Sequence, residues 1–161
     1  MVDSLVAKSN KMPELNLIYR GSRDGWSAYD DFHRICDGKG PTLILIKVKE
    51  TGRVCGGYTS VSWSSSSRVT KHDNDAYVFS VDTQTLYHTD EPSEAVYHSS
   101  TSRGPVFTNT LGIDGDTMSD KDIGCSTYRD NAYPVRPDSQ GNDPLTGVKD
   151  TGKNSRNTFT V

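Results

Sequence analysis

The sequence predicts a β-rich single domain with one short helix near its amino-terminal end. Three observations support this fold class: the chain has 161 residues, only 32% of them are hydrophobic, and Ser, Thr, Asp and Gly are abundant. Such a composition suits short strands joined by turns better than long helices. A chain of this length can bury one core without disulfides or metals to stabilise it.

The helix is predicted to follow Ser27, a suitable N-cap residue, and to end at Gly38, a suitable left-handed stop. Apolar side chains recur between these residues at the spacing i, i+3 and i+7, at Tyr29, Phe32 and Cys36. This spacing places all three on one face of a helix. We therefore expect that face to pack on the core.

A β-hairpin is predicted after the helix. Residues Thr42 to Lys49 begin with Leu-Ile-Leu-Ile and end with Lys-Val-Lys, which predicts a strand buried on both faces at its start and half exposed at its end. A turn at Gly52 should lead into a second strand, Val54 to Val61. Gly56 and Gly57 within that strand predict a bulge or the close approach of another backbone.

The remainder of the chain predicts further strands and two irregular segments. Residues Ala76 to Val81 are mostly apolar, which predicts a central strand. Polar residues from Ser64 to Asp75 predict a loop, and the stretch from Asp138 to Lys153, rich in Asp, Gly, Pro and Asn, predicts a long surface excursion. Further strands are predicted near Glu94 to His98, Pro105 to Thr108, Thr127 to Tyr133 and Asn157 to Val161.

Residues 1–14 are polar and aperiodic, which predicts a leader or linker before one domain at residues 15–161. The net charge is -3 and the basic residues are scattered, which argues against the basic surface that nucleic-acid binding needs. No apolar run approaches the roughly 20 residues of a membrane-spanning helix, so membrane insertion is not predicted. Three cysteines without a C-x-x-C motif, and no N-x-S/T sequence, predict an intracellular, cytoplasmic protein.

Three motifs between residues 17 and 81 closely resemble the TLDc domain family. They occur as Arg23-Asp24-Gly25 before the helix, Cys36-Asp37-Gly38-Lys39-Gly40-Pro41-Thr42 before the first strand, and Cys55-Gly56-Gly57-Tyr58 on its hairpin partner. The resemblance implies a mainly β (α+β) fold, a two-sheet antiparallel β-sandwich flanked by a few short helices. The motif residues interpreted as structural are Arg23, Asp24, Gly25, Asp37, Gly38, Gly40, Gly56, Gly57 and Tyr58.

The resemblance also implies a role in resistance to oxidative damage and, for several family members, regulatory contact with the vacuolar-type proton pump. It brings no established catalytic mechanism and no cofactor, so it favours a protein-interaction domain over an enzyme. The similarity is looser further along the chain, where Thr108-Asn109-Thr110 replaces the glycines that the family has after Pro-x-Phe. The family's last strand is matched only by Phe159-Thr160-Val161, so the chain is truncated there or its last strand is shorter.

The cysteines suggest an alternative function, a thiol-dependent peroxide scavenger. His33 and Cys36 are spaced i, i+3 on the predicted helix, and an imidazolium beside a thiol can lower its pKa. The competing interpretation, which we favour, is that Cys36 packs in the core with Phe32, since a thiol in apolar surroundings is unreactive. Cys125 is predicted to lie in a polar loop as an accessible thiol.

Four aspartates suggest a third possibility, a Ca²⁺ or carbohydrate-binding β-sandwich, because closely spaced carboxylates supply the oxygen ligands that Ca²⁺ prefers. The pattern departs from an EF-hand loop in its glycine position and lacks a closing Glu, so a solvated acidic loop is favoured. The sequence contains no G-x-S-x-G motif and no complete phosphate-binding loop. The four acidic candidates are Asp114, Asp116, Asp120 and Asp122.

Overall fold

The computed structural model describes residues 14–65, 68–98, 103–114, 124–128, 132–149 and 156–159. The strands within these residues form one four-stranded and one six-stranded sheet. Every pair of neighbouring strands is antiparallel. The predicted mainly β fold with two antiparallel sheets is therefore confirmed.

The first sheet contains the amino-terminal hairpin, and the second is built mostly from later strands. In spatial order the first sheet contains β1 (Thr42–Lys47), β2 (Val54–Thr59), β4 (Tyr77–Ser80) and β5 (Thr85–His88). The second contains β10 (Arg156–Phe159), β9 (Gly124–Tyr128), β8 (Leu111–Asp114), β7 (Arg103–Phe107), β6 (Val96–His98) and β3 (Val69–Lys71).

The helical segments are short and lie mainly before β1. They are α1 (Gly21–Asp24), α2 (Ala28–His33), α3 (Arg34–Cys36) and a 3₁₀ turn at Pro92–Glu94. The Oγ of Ser27 accepts a hydrogen bond of 3.0 Å from the backbone N–H of Asp30, and Gly38 has a φ of 72°. The predicted helix, N-cap and left-handed stop are thus confirmed, whereas α1 was not predicted.

The predicted apolar face of the helix is only partly buried. Phe32 and Cys36 lie in the core, but Tyr29 is 54% exposed. The reason is that α2 is π-helical, with the N–H of Phe32 donating to the carbonyl of Ser27 five residues earlier. A π turn holds more residues than an α turn, so the i, i+3 spacing no longer aligns Tyr29 with Phe32.

The core lies between the two sheets, and aromatic rings fill its centre. Trp63 is 1% exposed and makes edge contacts with Phe32 and Phe107, at 5.9 Å and 6.0 Å between ring centroids. The ring of Phe107 also occupies the space that a side chain at Gly57 would need, while at Gly56 the carbonyl of Ile44 does the same. The glycine pair therefore lets β2 lie close to β1 in its own sheet and to β7 in the other sheet.

Strand β1 differs from its prediction, because it is not buried on both faces. Ile46 is buried, but Leu45 is 64% exposed. The physical reason is position: β1 is the last strand at one edge of its sheet, so its outward-facing residues have a neighbouring strand on one side only. The run Leu-Ile-Leu-Ile indicates an apolar strand, but it does not show whether that strand lies at the edge or in the middle of a sheet.

The later strands agree with prediction in part. Strand β4 is fully buried, as predicted, and β6, β7, β9 and β10 overlap the four weaker predictions. Strands β3, β5 and β8 were missed, and β3 lies inside the predicted loop from Ser64 to Asp75. The predicted surface excursion after Asp138 contains the buried residue Leu145. In the described residues, no helix has the length and apolar character needed to cross a bilayer.

Candidate functional site

A group of interacting polar side chains joins α2 to the second sheet. His33 is buried, with its Nδ1 2.8 Å from Oδ1 of Asp37 and its Nε2 3.0 Å from the carbonyl oxygen of Arg103 in β7. Carboxylate and carbonyl oxygens only accept hydrogen bonds, so the ring of His33 is the donor in a hydrogen bond at this junction. His33 therefore connects the end of the helix to a strand 70 residues further along the chain.

The group continues into the segment after β2. The second carboxylate oxygen of Asp37 accepts a hydrogen bond of 2.6 Å from the backbone N–H of Ser65. The neighbouring Oγ of Ser64 lies 2.8 Å from Nδ1 of His98, which is 1% exposed. Burial, together with the nearby charge of Lys71, lowers the pKa of His98 to about 4. This imidazole is therefore neutral near pH 7.

An open cleft lies beside this junction. It has a volume of about 340 Å³ and is lined by Tyr29, Asp30, His33, Arg34 and Ser65. The Nε of Arg34 donates a hydrogen bond of 2.7 Å to the carbonyl of Asp30. An exposed aromatic side chain between charges of both signs is typical of a protein contact surface, whereas small-molecule sites are more enclosed and apolar.

The hydrogen bond between Ser64 and His98 was not predicted from the sequence. The two residues are 34 positions apart, and no motif around either one indicates that they meet. In a serine hydrolase the second ring nitrogen of the histidine bonds an orienting carboxylate. Among the described residues Nε2 of His98 has no partner, so the pair lacks the third member of a triad.

The two described thiols lie in the core. Burial raises the pKa of Cys36 to about 12, with the Asp37 carboxylate adding to the shift. Burial likewise raises the pKa of Cys55 to about 12. Both residues therefore remain protonated near pH 7, and the thiol form is a poor nucleophile. The ring nitrogens of His33, the suggested activator of Cys36, lie within hydrogen-bond distance of the Asp37 carboxylate and the backbone carbonyl of Arg103.

The remaining redox and metal candidates are only partly described. Cys125 lies in β9, where it pairs with Ile113 of β8, so its predicted position in a loop was wrong. The local cause is that the strand begins at Gly124, three residues before the predicted start. Asp114 ends β8, while Asp116, Asp120 and Asp122 lie outside the described residues. Within the described residues, no three His, Cys, Asp or Glu side chains come together as a metal site.

The motif residues before the helix form a tight turn. The Nε of Arg23 donates a hydrogen bond of 2.6 Å to Asp24, whose other oxygen accepts one of 2.8 Å from the N–H of Arg20. The bonds from Arg23 and Arg20 lower the pKa of Asp24 to about 2. Gly25 follows with a φ of 104°, and the Asp31 carboxylate fills the space beside it.

Two other motif residues make close contacts in the fold. The ring of Tyr58 stacks on Tyr77 with 5.1 Å between centroids. Gly40 lies against Ser62, whose backbone would clash with a side chain at that position. These contacts support the interpretation of the motif residues as architectural, since each one fits a turn or a packed surface.

His98 should make the protein sensitive to acid. Because the pKa falls from 6.5 when unfolded to about 4 when folded, its contribution is complete above pH 6.5 and is lost as pH falls towards 4. The loss should approach about 3 kcal/mol. Urea unfolding at pH 7 and pH 4.5 measures it, with His98→Asn as the comparison. Equal pH dependence of the variant and the wild type would contradict this assignment.

Comparison with known proteins agrees with the architecture and the motif positions. The family model of the TLDc domain matches residues 1–150. No curated protein shows significant similarity to the sequence. The match spans the amino-terminal motifs, the first sheet and most strands of the second sheet. The chain belongs to the TLDc domain family.

Proposed function

We propose that this chain is a non-catalytic protein-interaction domain that acts in oxidative-stress protection through contact with the vacuolar-type proton pump. The family supplies the link to oxidative stress. The non-catalytic part is supported against the thiol alternative by the burial of Cys36 and Cys55, whose pKa values are both raised to about 12. Protection by this domain then depends on a partner protein in the cytoplasm.

The cleft beside α2 fits such a role better than catalysis. It is open, and it presents Tyr29 together with the charged side chains of Asp30 and Arg34. Aromatic residues and arginine are enriched at the centres of protein interfaces. The rigid sandwich below would hold these side chains in place, as folds often do for residues on their surface segments.

The partner is tested with purified protein and purified proton pump. The immobilised domain is incubated with the intact pump and, separately, with its detached cytoplasmic sector, and retained subunits are quantified by mass spectrometry. Retention of either form, reduced at least tenfold by a Tyr29→Ala, Arg34→Glu double variant, is expected. The matched control is Arg68→Glu, another exposed basic residue. Absence of retention of both forms would overturn the pump as partner.

The thiol alternative is tested by the reactivity of the cysteines. In a Cys125→Ser variant, Cys36 and Cys55 should react with an aromatic disulfide reagent only after unfolding in urea, since burial keeps them protonated and inaccessible. We expect less than about a tenth of one thiol per chain to react in the native state within minutes. Fast native labelling, or peroxide consumption that a triple Cys→Ser variant loses, would favour the scavenger.

A further inference from the structure

Strand β1 forms an edge of the first sheet that has no bulge and no internal proline, so that its protection against pairing with another chain rests on lysines. Its register against β2 is continuous over all six residues, from Thr42 to Lys47. Natural edge strands are usually short, bulged, interrupted by proline or protected by charged side chains, especially lysine. Here the middle of the strand instead presents Leu45, which is 64% exposed.

The same edge is basic, although the chain as a whole is acidic. Residues 39–49 contain three exposed lysines, Lys39, Lys47 and Lys49, and no acidic residue, and the first carboxylate after them is Glu50 in the turn to β2; the whole chain has a net charge of -3. The ion pairs Arg23–Asp24, His33–Asp37 and Arg34–Asp31 join residues around α1 and α2. Alternation along β1 places Lys47 on the same face as Leu45.

From the geometry of this edge we propose that β1 binds an extended acidic peptide segment of a partner protein, which adds to the first sheet as a fifth strand. Main-chain hydrogen bonds to β1 would supply affinity, and an apolar side chain of the peptide would cover Leu45. Carboxylates on the peptide would lie near Lys47 and Lys49. This deepens the proposed function, because it rests on the domain being a protein-interaction module and specifies the chemistry of the partner.

A second copy of this chain fits the edge less well than an acidic peptide. Two copies paired along β1 would bring Lys39, Lys47 and Lys49 of both chains to one narrow ribbon. Like charges along paired strands are destabilising. A six-residue strand also buries far less surface than the roughly 1,200–2,000 Å² of a standard stable interface. The edge therefore favours a short peptide.

The probe is a synthetic dodecapeptide in which Val and Thr alternate with Glu, and its twin carries Lys at every Glu position. Fluorescence anisotropy at low salt should detect binding of the acidic peptide only, and the affinity should fall as salt screens the lysines. The Lys47→Glu, Lys49→Glu double variant should weaken binding about tenfold or more. Arg68→Glu, which changes an exposed basic residue outside the edge, should bind as the wild type does.

Hydrogen exchange locates the bound peptide. Addition of a strand should slow exchange of the outward-facing amides of β1, with no comparable protection in β5 at the other edge of the sheet. Equal binding of both peptides, or protection elsewhere, would overturn the proposal. The proposal would also be overturned if the acidic peptide does not bind and the protein instead forms a dimer that the Leu45→Lys variant does not form. If the acidic peptide does not bind but the proton pump is still retained, the β1 proposal is wrong and the proposed function stands.

Discussion

Replacement of Trp63 by alanine is expected to lower the free energy of unfolding by about 4 kcal/mol. The indole is 1% exposed and lies between the two sheets. It contacts the rings of Phe32, His98 and Phe107, at 5.6 to 6.0 Å between centroids. Its Nε1–H also donates a hydrogen bond of 2.9 Å to Thr42 at the start of β1. Truncation leaves a large cavity where the helix and both sheets meet.

Urea unfolding at pH 7 measures this loss, and two variants calibrate it. Trp63→Phe keeps most of the ring and removes the hydrogen bond, so it should cost about 1–2 kcal/mol. Tyr29→Ala removes an aromatic ring that is 54% exposed and should change stability by less than about 1 kcal/mol. A Trp63→Ala cost as small as that of Tyr29→Ala would show that the indole does not hold the core together.

Replacement of Asp73 by alanine should have an effect of similar size, about 4 kcal/mol. The buried carboxylate accepts hydrogen bonds from the Oγ1 of Thr59 at 2.6 Å, from the N–H and Oγ of Ser60 at 2.7 Å each, and from the N–H of Asp75 at 3.0 Å. These bonds fasten the end of β2 to the segment after β3. Alanine would leave the donors without their acceptor.

The contribution of Asp73 to stability also depends on pH, but through hydrogen bonds to its charged form, whereas for His98 the cause is burial. Burial alone would raise the pKa of Asp73, but the hydrogen bonds from Thr59 and Ser60 outweigh burial and lower it from its ordinary value of 3.8. The stability is therefore complete above pH 3.8 and lost below it. Asp90→Ala, which removes an exposed carboxylate, is the matched control. A cost for Asp73→Ala below 1 kcal/mol would contradict the assigned role.

The sequence predicted the fold class and the helix because their signals are local. Ser27 and Gly38 act on their own backbone neighbourhood, so their roles could be inferred without tertiary structure. The exposure of Leu45 and Tyr29 could not, since it depends on which strand lies at an edge and on a π turn. Periodicity alone carries neither piece of information.

The candidate site was much harder to predict than the fold. His33 was identified as a neighbour of Cys36, but its actual partners are Asp37 and the carbonyl of Arg103, and the latter lies 70 residues away. The contact between Ser64 and His98 likewise joins separate segments. Such pairs are determined by sheet topology, and a single sequence does not show which strands become neighbours.

The long reach of the His33 contact has a consequence for the order of events during synthesis. A six-residue helix such as α2 is too short to persist alone in water. Its anchor on β7 does not exist until residue 103 has left the ribosome. The amino-terminal segment that carries the family's first motif therefore lacks this contact until about two thirds of the chain has been synthesised.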